Sequence, residues 1–238
     1  MPGVLVIDNE DKTHLMIEQS FKIRRENTGE EWKSTLVVDA SKVAELAPKT
    51  EFDLLIVDQT MVNQPPKKWL ETFFKLINRQ VPALACGFEA NLPKILAWLD
   101  AGFVDYIVKP ADRPLLIEKI ILAATGKRDA SKQVYSLQMT APADIARQGI
   151  IEELSEFDVQ IKSRSSFQLG DLVTFYAAAF AEEKAPFGAV LGRCYVTGKH
   201  PADKELNQSR FVYVGVQPNT LKNIRTNLRK EYVAKKGG

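Results

Sequence analysis

The sequence predicts an α/β chain in two parts: a (βα)5 doubly wound parallel sheet, then a small all-β barrel with a C-terminal helix. Three observations predict it. Short apolar runs alternate with amphipathic stretches through the first half, the hydrophobic period shortens towards two beyond Gly126, and a last amphipathic stretch follows Pro218. The apolar runs are residues 4–7, 36–38, 54–57, 83–86 and 106–108. Runs this short and this continuous suit strands that helices cover on both faces. Between them, helical spacing places Leu15, Ile17 and Phe21 on one face of a first helix and Val43, Leu46 and Ala47 on one face of a second. Further helices are predicted over 67–77, 92–99 and 113–124. In such a sheet, ligands and chemistry gather at the carboxyl ends of the strands.

In the second half, residues 134–139, 149–153, 159–162, 172–176, 188–196 and 210–217 read as strands separated by turn residues. Their rough alternation, as in Val159/Ile161 or Phe211/Tyr213/Gly215, suits antiparallel strands with one wet face, hence a small barrel. A final helix over 221–233 is expected, capped by Asn219 or Thr220. Gly126 ends the last helix of the first half and a polar linker follows over 125–132, so the domains are read as 1–126 and 127–238.

Composition excludes several classes. Hydrophobic residues make up 45% and charged residues 26% of the 238, which argues against wholesale disorder. Thirty-two basic and 30 acidic residues leave a formal charge of +2, so charge bias gives no case for nucleic-acid binding. The charge is uneven: residues 1–126 carry 15 basic and 18 acidic side chains, residues 127–238 carry 17 and 12. Two cysteines and two histidines exclude a disulfide framework and argue against a four-ligand Cys/His zinc site, and they suit a reduced, cytoplasmic compartment. No apolar run reaches the length of a membrane span. The opening Met-Pro-Gly-Val-Leu-Val-Ile lacks the basic start of a signal peptide and reads as a strand.

Three acids end predicted strands: Asp8, Asp39 and Asp58. Lys109 ends another and precedes Pro110. Asp8, Asp58 and Lys109 are expected to converge at one rim. A carboxylate nucleophile beside a lysine is a reasonable phosphoryl acceptor, because the ammonium and a divalent cation offset the incoming charge.

Val-Leu-Val-Ile-Asp-Asn-Glu at 4–10, Phe-Asp-Leu-Leu-Ile-Val-Asp at 52–58 and Ala-Gly-Phe-Val-Asp-Tyr-Ile-Val-Lys-Pro at 101–110 resemble the response-regulator receiver family of two-component signalling and phosphorelays. The resemblance covers about residues 3–124 and implies a flavodoxin-like fold. It places Asp58 at the phosphoacceptor, Lys109 at the conserved lysine, Tyr106 at the aromatic switch position, and Mg2+ at Asp8 and Asp58. The departures weaken that metal site. Asn9 stands where the family has a second acid and offers a neutral ligand, with Glu10 as a substitute only if its turn aims it inward. The position of the usual hydroxyl residue falls on Gly87, or on Cys86 if the register slips by one. The loop after Asp58 also lacks the usual proline, at Val62. The resemblance therefore implies an atypical receiver more readily than a regulated one.

The order of strands after residue 127 resembles the PilZ family of small barrels that bind cyclic di-GMP. The family's Arg-x-x-x-Arg tract falls on Arg128 and Lys132, and its Asp/Asn-x-Ser-x-x-Gly turn falls on Glu153, Ser155 and Asp158. Lysine lacks the planar fork of arginine, and Asp158 puts a side chain and a charge where glycine permits close approach. The resemblance thus implies a degenerate, inactive nucleotide site, and cyclic di-GMP is not an expected ligand. On the last helix, Lys222, Arg225 and Arg229 share a solvated basic face, and Leu221, Ile224, Leu228 and Tyr232 form the buried stripe.

The reading is a signalling protein that acts by protein–protein interaction. The alternative is an effector responsive to phosphorylation at Asp58, to cyclic di-GMP, or to both. A histidine kinase is a partner the first resemblance implies, and a homodimer is compatible with it. DNA is disfavoured because the second half shows no helix-turn-helix pair. No nucleophile–base–orienter set is present, so no enzymatic activity is expected.

Overall fold

Five short strands of the first half pair in parallel: β1 (Gly3–Ile7), β2 (Lys33–Val37), β3 (Leu54–Asp58), β4 (Ala83–Gly87) and β5 (Asp105–Val108), in the order β2-β1-β3-β4-β5. The computed structural model describes residues 2–127, 136–143, 149–181 and 188–236. It divides into two compact units, Met1–Ser131 and Lys132–Gly238.

In the first unit the strands are joined by α1 (Asp11–Thr28), α2 (Val43–Leu46), α3 (Pro66–Ile77) and α4 (Leu92–Asp100), and α5 (Arg113–Thr125) follows β5. β1, β3 and β4 are buried at every position, as the apolar runs require. Alternating residues serve two cores. Val4, Val6, Leu54, Ile56, Leu84, Cys86 and Ile107 pack with Ile17 and Phe21 of α1 and with Leu116, Ile117 and Ile120 of α5. On the other face Trp69 stacks on Phe73 at 5.2 Å, and Trp98 lies 6.2 Å from Tyr106. α4 and α5 start with side-chain caps from Asn91 and Asp112, and α5 ends at Gly126 in the left-handed region (φ 69°). Asp105 and Lys119 form a fully buried ion pair at 2.7 Å between β5 and α5.

Three sequence expectations need correction here. Leu15 does not share the buried face of α1: it is 46% exposed, and the buried row is Thr13, Ile17, Ser20 and Phe21. Residues 15 and 17 are about 200° apart around a helix of 3.6 residues per turn. β2 begins at Lys33 and stops before Val38, which is 53% exposed. As an edge strand it needs no continuous apolar run, so its polar start was missed. The second helix is a single α-helical turn flanked by 3-10 turns at 40–42 and 47–49.

The second unit is a curled antiparallel sheet of β6 (Ser136–Ala143), β7 (Gly149–Ser155), β8 (Asp158–Ser163), β9 (Leu172–Ala177), β10 (Gly188–Lys199) and β11 (Asn207–Val214), in the order β6-β7-β8-β11-β10-β9. The expected barrel is only half closed: β6 and β9 are the two edges, and no ladder joins them among the described residues. Phe175, Phe211, Tyr213, Val159 and Ile161 fill its inner face, with Ile224 and Leu228 of α6 (Pro218–Lys236). Register shifts interrupt three ladders, β6–β7 between Gln138 and Ala141 and two others at single-residue bulges. One leaves Glu152 unpaired between Ile151 and Glu153, and the other leaves Tyr195 unpaired between Cys194 and Val196. α6 starts at Pro218, with Leu221 N–H donating to the Gln217 carbonyl at 3.0 Å. Proline suits the first helical position, so Asn219 and Thr220 lie inside the helix and do not cap it. β11 likewise ends at Val214, before Gly215 at φ 59°, and not at Gln217. Tyr232 leaves the buried stripe and is 41% exposed, whereas Leu221, Ile224 and Leu228 remain in it. Among the described residues, no helix is long and apolar enough to cross a membrane.

The two faces of α1 should separate in stability measurements. Ile17→Ala should cost about 2–5 kcal/mol by creating a core cavity. Leu15→Ala should stay within about 0.5 kcal/mol. Urea unfolding followed by tryptophan fluorescence reads this unit alone, because Trp32, Trp69 and Trp98 all lie in it. Equal losses for both variants would contradict the observed burial.

Candidate functional site

Strand order reverses at β1, between β2 and β3, and that is where a doubly wound sheet opens a crevice. Asp8 follows β1, Asp58 ends β3 and Lys109 follows β5, so the topology brings the three to one rim. They are buried there: the Asp8, Asp58 and Lys109 side chains are 0%, 2% and 5% exposed. Lys109 Nζ lies 2.8 Å from Asp8 Oδ2, 3.1 Å from Asp8 Oδ1 and 2.6 Å from Asp58 Oδ2. Burial works to lower the lysine pKa, but the hydrogen bonds to Asp58 and Asp8 outweigh it and hold the ammonium above its ordinary range. Asp58 Oδ1 accepts from Thr60 N at 2.7 Å and Thr60 Oγ1 at 2.6 Å, the Asx turn that starts the following loop. Asp8 Oδ1 also accepts from Glu10 N at 3.0 Å. Every carboxylate oxygen of the pair thus carries a donor from the chain itself.

Asn9 and Glu10 do not join this pocket as metal ligands. Both are exposed; Asn9 Oδ1 is 3.4 Å from Thr60 Oγ1, and Glu10 contributes its backbone N–H, not its carboxylate. Mg2+ requires near-octahedral oxygen coordination, which the receiver resemblance would assign to Asp8 and Asp58. The residues do not fit it: the second acid is absent, and Lys109 already bridges the two carboxylates. What the pocket does contain is Cys86, whose register partner is Asp58 and whose Sγ lies 3.9 Å from Asp58 Oδ2. Burial pushes the Cys86 thiol up, with the two carboxylates adding to this and Lys109 opposing it. Asp8, Asp58 and Cys86 each offer one ligand atom, all within 4.8 Å of one another. The sequence offered Cys86 here only as the alternative to Gly87, because the choice depends on register between strands.

Gly87 does occupy the strand end that faces Tyr106. A Cβ there would come within 2.5 Å of Gln59 Cδ and 2.7 Å of the Tyr106 hydroxyl. The missing side chain leaves room for Gln59, whose Oε1 accepts from the Tyr106 hydroxyl at 2.8 Å. Burial pushes the Tyr106 phenol pKa well up, and the ring itself is fully buried.

In the second unit, Arg128 and Lys132 lie outside the described residues. The other three members of the motif are described, and all are engaged within the unit. Ser155 Oγ donates to Asp158 Oδ1 at 2.5 Å and accepts from Phe157 N and Asp158 N at 3.1 and 2.9 Å. Tyr195, re-aimed by its bulge, donates to Asp158 Oδ2, and Arg210 reaches Asp158 Oδ2 at 3.3 Å while its other nitrogen binds Glu153. Tyr213 Oη lies 3.0 and 3.1 Å from the Ser155 and Asp158 carbonyls, to which it can donate. Arg225 is not part of a free basic face: its Nε binds Glu156 beside the same turn. Lys222 and Arg229 are exposed.

The Glu152 bulge builds a second polar hub that the sequence reading missed. Glu152 accepts from Gln208 at 3.1 Å and Gln160 at 3.3 Å, with Lys162 at 3.3 Å and His200 Nε2 at 3.0 Å. His200 Nδ1 accepts from the Ala202 and Asp203 N–H groups, so Nε2 carries the proton given to Glu152. Burial works to raise the Glu152 pKa, but these hydrogen bonds prevail and lower it.

No family model matches this chain, and no curated protein does. Among solved structures, the Francisella response regulator 1452 receiver domain aligns at 23% identity and a TM-score of 0.42, over 53% of this chain and 100% of its own. The receiver domain of sensor histidine kinase PA1611 from Pseudomonas aeruginosa, solved with magnesium in its active-site cleft, aligns at 20% identity and 0.41, over 53% and 98%. Vibrio cholerae chemotaxis protein CheY4 aligns at 18% identity and 0.42, over 52% and 98%.

Two predictions come from these contacts. Gly87→Ala should destabilise the first unit by about 1–3 kcal/mol, because displacing Gln59 strands the buried Tyr106 hydroxyl. Adding Gln59→Ala should cost little more, since both changes break one interaction; additive losses in a denaturation double-mutant cycle would refute the coupling. For Glu152, a lowered folded-state pKa means the stabilisation is present above the unfolded-state pKa and is lost as pH falls through the folded one. Glu152→Gln should therefore be less stable by about 1 kcal/mol at neutral pH. That difference should vanish in acid, and a gap persisting there in thermal melts would contradict the assignment.

Proposed function

We propose that the chain is a cytoplasmic two-domain signalling protein of the response-regulator type, with domains 1–126 and 127–238. The first domain is an atypical receiver and the second a PilZ-like output domain with a degenerate nucleotide site. It acts through contacts with a protein partner and is not an enzyme. The observation that carries this reading is the Asp8–Lys109–Asp58 pocket, in which a strand-end acid, its lysine and a second acid meet at the switch point of the sheet while every carboxylate oxygen is engaged by the chain. Such an arrangement keeps the architecture of a phosphoacceptor site and leaves Asp58 buried, with no place for Mg2+ beside it. In the second domain, the pairing of Asp158 and Glu153 with Arg210 supports the same conclusion for cyclic di-GMP, whose phosphates would meet two acids.

Acetyl phosphate or beryllofluoride with Mg2+ should give no stable adduct at Asp58. A stoichiometric phosphoadduct that Asp58→Asn abolishes would overturn the reading of the first domain. Calorimetry with cyclic di-GMP on the full chain should show no binding in the micromolar range. A tight complex lost in Arg128→Ala would overturn the reading of the second. A partner retained from native lysate by the full chain, and equally by Asp58→Asn, is the expected positive result.

A further inference from the structure

β2 ends the first sheet, with β1 on one side of it only. Lys33 N–H donates to the Pro2 carbonyl at 3.0 Å, and the Val37 carbonyl accepts from Asp8 N–H at 3.2 Å. The odd-numbered residues of β2 therefore turn their backbone groups to β1. By the alternation of a parallel ladder, Ser34, Leu36 and Val38 turn theirs outwards, and no hydrogen bond among the described residues takes them up. Neither a proline nor a bulge closes this edge, and the chain is still extended at Asp39 (φ −120°, ψ 115°).

The two faces of the edge carry features that answer one another. By alternation Val38, 53% exposed, shares the face of Ser34 and Leu36, where Leu36 packs against the α1 core. On that face a cleft of about 330 Å3 opens between α1 and β2, lined by Phe21, Lys22, Arg25, Trp32 and Ser34 among others. Ser34 Oγ has no hydrogen-bond partner there. On the opposite face Lys33 is exposed and joins no ion pair among the described residues. Asp39 Oδ1 accepts from Ser41 N at 2.9 Å and Ser41 Oγ at 2.7 Å, and Oδ2 is left for a further donor.

We propose that β2 pairs with β2 of a second copy of this chain, antiparallel about a two-fold axis and centred on Leu36. Only outward residues can exchange hydrogen bonds, so Ser34, Leu36 and Val38 must meet one another. Charge selects among the registers this allows. Centring on Thr35 sets Asp39 against Glu31 of the copy, two like charges, whereas centring on Leu36 sets Lys33 against Asp39 of the copy, twice over. The same register places Val38 of each copy beside Ser34 of the other, where the cleft floored by Phe21 and Trp32 receives it. The exposed valine, the cleft and the unpaired backbone groups are thus taken up by one contact, which joins the two sheets into one. A single strand pairing makes a small interface, so the dimer is weak and concentration-dependent. This goes beyond the signalling reading and does not depend on it.

Sedimentation velocity on the full chain over a concentration series tests the pairing. The wild type should pass from monomer to dimer as concentration rises. Lys33→Glu and Asp39→Lys should each weaken self-association by about tenfold or more, since each puts like charges opposite. An equimolar mixture of the two variants should recover the dimer, because each presents the charge the other lacks, and that recovery also shows both to be folded. A wild type monomeric at every concentration would overturn the proposal. So would a dimer indifferent to Lys33→Glu, which would have to use another surface, or a mixture that associates no better than either variant alone.

Discussion

The first unit depends on one electrostatic constraint: two buried carboxylates that the topology forces together. β1 and β3 are neighbours, and an acid at the end of each brings like charges into one buried crevice. Unpaired, such a pair would shift its protonation or open the sheet. Lys109 resolves this by arriving from β5, across β4, to bind both. The Asx turn at Thr60 and the backbone bond from Glu10 then settle the remaining oxygens, and these bonds also shape the two loops beside the pocket. The loops inherit their form from the charge. A second buried pair, Asp105 with Lys119, ties β5 to α5 on the adjoining side, so the strand that delivers Lys109 is itself anchored by an ion pair.

Burial of this kind is weak evidence for stability and stronger evidence for position. Replacing a buried pair by apolar groups is often neutral, whereas removing one partner is costly. Lys109 therefore holds the loops in register more than it adds net free energy. Gln59 follows from the same geometry. It is the residue after Asp58, and with no Cβ at Gly87 it reaches the Tyr106 hydroxyl, linking the strand-end acid to the aromatic residue of β5 by one side chain.

What was legible in the sequence divides along physical lines. Strands buried on both faces announce themselves, and residues 4–7, 54–57 and 83–86 sit within β1, β3 and β4. Strand-end acids were legible for the same reason, since they end apolar runs. The edge strand β2 was legible only at its apolar end, residues 36–37, because half its surface meets solvent and its residues alternate. Leu15 misled because an apolar residue on an exposed face is common and carries no signal of its own. Cys86 beside Asp58 needed the register of two parallel strands, and no single segment contains that. The bulges at Glu152 and Tyr195 were out of reach for a related reason: each exists only as a mismatch between two strands.

Those bulges explain why the departures around Ser155 come as a set. An acid at position 158, 2% exposed, cannot stand alone in a sheet interior. It is satisfied by Ser155 from the turn, by Arg210 from β11, and by Tyr195, whose ring reaches it because the β10 bulge turns that residue off the regular alternation. Arg210 then has a second nitrogen to satisfy, and Glu153 supplies the acceptor. Burial works to lower the arginine pKa, but the charges of Asp158 and Glu153 prevail and raise it, so the guanidinium stays charged. Glu153, Asp158, Tyr195 and Arg210 thus form one internally bonded network, with two acids on one guanidinium, in which each member answers the charge or hydrogen-bonding need of another. A glycine at 158 would leave Tyr195 and Arg210 facing an empty site, whereas aspartate gives them their function: they close the turn from within.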